Sequence, residues 1–148
     1  MKDKNYFIRQ ISVFIDNKPA TLAGMARRLA EKNINLRALS LAETRDFGTA
    51  RIIVADPDQC VEVLKKNGYH FMENDVLAVE VADRPGGMAD VLECIAREHV
   101  SVEYAYAMIE KREGKAVIIL RVDNMERAIM ALRNNNVRLL TGKDVAFI

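Results

Sequence analysis

From Val81 to Leu92 the chain reads VADRPGGMADVL, where one apolar run ends and another begins. Asp83 supplies a carboxylate, Arg84 a guanidinium, and Gly86 and Gly87 follow Pro85 at the start of the second run. The first amides of a helix have no intrahelical partner and sit at its positive end, so the N–H groups around Gly86 and Gly87 can receive a carboxylate. Glycine also lets a bound group come close to the main chain. Asp83 can accept hydrogen bonds from an ammonium group, which gives a small zwitterion both of its partners in one loop. The same residues also suit plain turn chemistry, with proline opening a helix and Asp83 capping it. Arg84 and its counterpart Lys18 can pair with a ligand carboxylate or stand solvated.

The bulk properties narrow the chemistry. Half of the 148 residues are apolar and 29% are charged, with 22 Lys and Arg against 21 Asp and Glu. A formal charge of +1 provides no broad basic field, so nucleic acid is not an expected partner. The opening MKDKNYFIRQ carries charges where a secretory signal needs an apolar segment, and no run approaches the ~18 apolar residues of a membrane span. A cytoplasmic protein with no membrane partner is expected. Cys60 and Cys94 lack a CxxC spacing or nearby His ligands, which predicts buried free thiols rather than a metal site or a disulfide. Neither Gly-x-Ser-x-Gly, His-Glu-x-x-His, a P-loop nor a paired His and Cys motif is present, so the expectation is no catalytic residue, no cofactor and no enzyme.

The elements that would hold the loop are written twice. QISVFIDNKPATLAGMARRLAEKNINLRALS aligns without a gap on VLAVEVADRPGGMADVLECIAREHVSVEYAY, at an offset of 66 (from Pro19 to Pro85). Ile11, Val13 and Ile15 alternate, as do Leu77, Val79 and Val81, which is the period of a strand with one buried face. Leu22, Met25 and Leu29 then recur at helical spacing, matched by Met88, Val91 and Ile95. NINLRALSLA and HVSVEYAYAMI predict second strands, and TARIIVA and KAVIILRV third strands, with turns around Phe47 and Gly48 and around Glu113 and Gly114. Asp56, Pro57 and Gln59 predict a capped second helix, and Asp123 with Glu126 its twin. Short last strands are expected through Tyr69 and Phe71 and through Val137 and Leu139. The predicted class is α+β: two ferredoxin-like βαββαβ domains, 1–73 and 74–148, packed together, each an antiparallel sheet with its helices on one face.

Both halves resemble ACT domains, small regulatory modules that bind amino acids. The resemblance rests on a strand ending in Asp-Arg-Pro-Gly-Gly-Met, the helix after it, and the Asn-Ile-Asn-Leu lead into the second strand of the first copy. NKPATL is the weaker twin, with Asn17 in place of Asp83 and Ala20 in place of Gly86. The resemblance implies an effector, an amino acid or related small molecule, held where two such domains meet. The residues it nominates are Asn17, Lys18, Ala20, Thr21 and Leu22 in the first copy, and Asp83, Arg84, Gly86, Gly87 and Met88 in the second. Asn35 and Ser101, at the starts of the second strands, would reach a ligand across the module interface or satisfy a loop carbonyl.

The alternative function is a structural or partner-binding module without a ligand site. The C-terminal DVAFI repeats the DVLAV of residues 75–79 and predicts an edge strand that pairs within the chain or with a second copy, making a homodimer or another protein a possible partner. Tyr104 and Tyr106 would share a strand face with Val102 and Met108, for packing. His99, near a helix end, reads as a cap. RNA recognition by the same plait needs stacking aromatics on the inner strands, and ARIIVA and AVIILRV have none.

Overall fold

A computed structural model describes residues 2–43, 47–110 and 113–147. The chain divides into two compact units: Arg9–Asn74, and a second made of the residues up to Ile8 together with those from Asp75 onward.

In the first unit, β1 (Ile8–Asp16), α1 (Thr21–Glu31), β2 (Leu36–Glu43), β3 (Phe47–Val54) and α2 (Pro57–Lys66) precede β4 (His70–Ala82). The early residues of β4 complete a sheet of order β2-β3-β1-β4. The strand face read from the alternation is the buried one: Ile11, Val13 and Ile15 pack with Met25 and Leu29 of α1 and with Leu64 of α2. Each such side chain contributes about 1.5–3 kcal/mol relative to exposure. Arg9 donates to Asp58 at 2.8 Å and to Glu73 at 2.6 Å, and these bonds raise its pKa further above the ordinary guanidinium value.

The second unit repeats the order with the later part of β4, then α3 (Gly87–Arg97), β5 (Val102–Ala107), β6 (Lys115–Val122) and α4 (Met125–Asn134). Its sheet runs β4-β6-β5, and Leu77, Val79 and Val81 pack with Val91, Ile95, Ile129 and Leu132. Both units are ferredoxin-like α+β modules. The N-terminal 3-10 turn Lys2–Tyr6 belongs to this unit. There Arg133 of α4 lies 5.7 Å from the centre of the Tyr6 ring and 3.5 Å from the Asp3 carboxylate.

Four expectations change in the second unit. The short last strand through Val137 and Leu139 shrinks to a single bridge between Val79 and Leu139, flanked by Glu80 N–H donating to Arg138 O and Leu140 N–H to Ala78 O. Residues 144–147 of DVAFI do not form an edge strand. They lie in α5 (Gly142–Phe147), because Thr141 and Asp144 form a reciprocal capping box: the Thr141 N–H donates to Asp144 Oδ2 at 2.8 Å and the Asp144 N–H to Thr141 Oγ1 at 3.3 Å. The cap of α4 is Asn124, which accepts from Arg127 N–H, while Asp123 accepts from Ser101 N–H instead. In β5 a bulge between Val102 and Tyr104 moves Tyr104 and Tyr106 off the face of Val102. They stand opposite Arg121 and Ile119 on the sheet side away from the helices, with their rings stacked 6.4 Å apart.

The first unit carries the same bulge at the matching place, between Leu36 and Ala38. It also carries the expected cap, Asp56 accepting from Gln59 N–H at 3.1 Å, although the Gln59 amide reaches Lys32 O rather than closing a box. Phe47 and Gly48 belong to β3, and residues 44–46 of that hairpin lie outside the described residues. All four long helices leave through a left-handed residue: Asn33, Gly68, His99 and Asn136 have φ of 59°, 74°, 58° and 57°. His99 therefore serves the helix end with its backbone. Cys60 and Cys94 are buried free thiols, and burial, with Asp56 and Glu73 nearby, pushes the Cys60 pKa up to about 12. Among the described residues, no helix is long and apolar enough to cross a membrane, and no group of three or more His, Cys, Asp and Glu residues is placed to hold a metal ion.

Candidate functional site

The strand-to-helix loops differ between the copies in a way that follows from three matched positions. Gly86 and Ala20 are the N-caps of α3 and α1, and both are left-handed, with φ of 87° and 71°. Glycine adopts this conformation freely, whereas alanine in it carries about 1–2 kcal/mol of steric cost. One residue on, a Cβ placed on Gly87 would lie 1.9 Å from the carbonyl oxygen of Ala82. The first copy has Thr21 there, whose single hydroxyl proton is shared between Asp16 O at 2.7 Å and Lys18 O at 2.9 Å. Glycine lets the second loop close tightly on its strand, and threonine ties the first one with a side chain.

Neither α1 nor α3 has a side-chain cap, in contrast to α2 and α4. Asp83 does not cap α3; its backbone N–H donates to Gly114 O, and its carboxylate is exposed with no partner among the described residues. Gly87 N–H is taken by Arg84 O. The Arg84 side chain folds back over the loop, donating to Pro85 O at 3.1 Å and pairing with Asp90 at 3.0 Å. At 60% and 63% exposure that pair adds at most about 1 kcal/mol. It does fix the guanidinium beside the first turn.

A cavity of about 320 Å³ opens at this loop within the second unit. Its mouth carries Asp83, Arg84 and Met88. Its wall is mostly apolar, with Val81 from β4, Ala116 and Ile118 from β6, and Ala105, Tyr106 and Ala107 from β5. Pairing of Ala105 with Leu120 and of Ala107 with Ile118 places both alanines on the helix-facing side of the sheet. Their counterparts in the first copy are Leu39 and Leu41. Leu39 packs against the first core, and the Leu41 side chain reaches to 3.4 Å from where a Cβ on Gly48 would stand. Leucine covers part of the space that alanine leaves open, with Leu41 itself 43% exposed. This difference is legible in the repeat alignment, yet it stands outside the loop motif where sequence reasoning concentrated.

The first unit has a hollow of about 400 Å³ on another flank of its loop, touching Asp16, Ala20, Thr21, Gly24, Arg28 and His70. Arg28 donates across to Asn67 Oδ1 at 2.6 Å. Asn17 and Lys18 are exposed in the turn before α1, and Leu22 packs into the core below. Asn35 and Ser101 are exposed at the other end of their sheets: Leu36 pairs with Val54, and Val102 with Val122, whereas the loops leave beside Phe47 and Lys115. Within a unit the structure therefore brings Asp83, Arg84 and Met88 to one cavity, and Ala20 and Thr21 to another. Gly86 and Gly87 lie between Arg84 and Met88 in the same loop without lining the first, and Asn35 and Ser101 lie away from both.

The sequence model of the ACT domain pair family matches residues 6–148. Among solved structures, a protein from Bacteroides thetaiotaomicron is similar at 35% identity and a TM-score of 0.90, over 97% of this chain and 98% of that one. The ligand-free regulatory subunit of aspartate kinase from Thermus thermophilus is similar in fold, at 17% identity and a TM-score of 0.64, over 87% of this chain and 92% of that one. That of Thermus flavus aligns at 18% identity and a TM-score of 0.60, over 85% and 90%. No curated protein matches the chain.

Proposed function

Because the chain belongs to the ACT domain pair family, we propose that it is a small-molecule-sensing regulatory protein that binds an amino acid at the loop cavity of its second unit. The observation that carries this reading is the cavity of about 320 Å³ beside a helix start without a side-chain cap. Its volume lies at the small end of ligand sites, which suits a molecule of amino-acid size. The first-turn amides of α3 would receive the ligand carboxylate, and the Asp83 carboxylate its ammonium group. The regulatory subunits it resembles in fold point the same way. Binding would order the loop and favour whichever conformation binds better, and a partner protein would read that shift.

The test is a thermal-shift screen of the twenty amino acids against the purified chain. A ligand at one hundred times its dissociation constant adds about 2.7 kcal/mol of stability. Replacing Gly86 by valine, which places a β-branched side chain at a left-handed position, should abolish the shift while the far-UV circular dichroism of the fold survives. No shift with any amino acid at saturating concentration would favour a partner-binding module instead.

A further inference from the structure

We infer that the cavity selects an amino acid with an uncharged aliphatic side chain, and that Ala105 and Ala107 set this selectivity. The inference rests on the reading that the second-unit cavity is an amino-acid site. The charged groups at the cavity, Asp83 and Arg84, belong to the loop at its mouth, and Arg84 is already engaged by Asp90. Beyond them the lining holds Val81, Met88, Tyr106, Ala116 and Ile118 with the two alanines, none of which carries a charge that could neutralise an ammonium, guanidinium or carboxylate. Burying a charge there without a partner is costly, whereas burying methyl and methylene groups is favourable. The ligand's two backbone charges would stay at the polar mouth and its side chain would enter the wall.

The internal repeat supplies the argument for the two alanines. Both copies share the bulge that turns these positions toward the helices, but the first copy places Leu39 and Leu41 where the second has Ala105 and Ala107. The first copy is thus a natural model of the closed site, and substituting leucine into the second should reproduce it.

The experiment is isothermal titration of the full chain with valine, leucine and isoleucine, set against lysine, arginine, aspartate and glutamate. At least one aliphatic amino acid should bind at least about tenfold more tightly than every charged one. Ala107→Leu, and separately Ala105→Leu, should weaken that binding by about tenfold or more, with unfolding midpoints and circular dichroism reporting that each variant is folded. Tighter binding of a charged amino acid, or unchanged affinity in both folded leucine variants, overturns the inference while leaving the amino-acid site standing. Binding of no amino acid at all removes the underlying proposal itself. Should both variants fail to fold, the comparison of aliphatic with charged ligands on the unaltered chain still decides.

Discussion

The matched helix caps make a reciprocal experiment. Ala20 and Gly86 occupy equivalent left-handed positions, so Ala20→Gly should stabilise the protein and Gly86→Ala should destabilise it. The steric cost of alanine in this conformation is about 1–2 kcal/mol. Glycine's greater freedom in the unfolded chain returns about 0.4–1 kcal/mol of that. The net effect in each direction is about 0.5–1 kcal/mol. No packing change should obscure it: Ala20 is exposed, and a Cβ on Gly86 meets only the Arg84 Nη1 at 3.6 Å, an ordinary contact. Urea unfolding of both variants, with unchanged slopes, measures the two free energies. Loss of stability in Ala20→Gly, or a gain in Gly86→Ala, would refute the argument that backbone conformation alone distinguishes these residues.

Gly87→Ala should be far worse than Gly86→Ala, costing about 3 kcal/mol, because its new Cβ meets the Ala82 backbone at 1.9 Å and overpacking against backbone has little to yield; chemical denaturation separates the two. Asp56→Ala and Asn124→Ala should each cost about 1 kcal/mol as lost N-caps, measured the same way. Thr141→Ala should open α5 by removing half of its capping box, seen as faster amide exchange in residues 144–147 with exchange in β6 unchanged. The Cys60 pKa is raised from 9.0 to about 12 in the fold, so its contribution to stability is complete below pH 9 and is lost as pH rises from there toward 12. A Cys60→Ala variant should show a shallower alkaline decline, and the native thiol should resist alkylation at pH 8.

Much of this architecture is legible in the sequence because hydrophobic period reports which residues must be buried. The alternation through Ile11, Val13 and Ile15, and the helical spacing of Met88, Val91 and Ile95, mark surfaces that pack in their units' cores. The loops are legible for a related reason, since proline and glycine restrict or free the backbone wherever they stand. The bulges are not, because one additional residue in a strand leaves composition untouched and only reverses the faces beyond it, as Tyr104 and Tyr106 show. α5 was hidden by likeness: DVAFI copies DVLAV, yet Thr141 three residues before Asp144 supplies a local helix start that DVLAV lacks. The cavity was hidden for a third reason. A void is written in the small size of residues on a neighbouring strand, and Ala105 and Ala107 are unremarkable until set beside Leu39 and Leu41.

The paired bulges also order events in the history of the chain. A feature present at the same place in both copies, between Leu36 and Ala38 and between Val102 and Tyr104, was inherited from the single ancestral module. The exchange of leucine for alanine next to it, of threonine for glycine at the helix start, and of alanine for glycine at the cap all came after duplication. The two copies have kept a common frame and differ in how it is closed, the first with the side chains of Thr21 and Leu41 and the second with glycine and alanine.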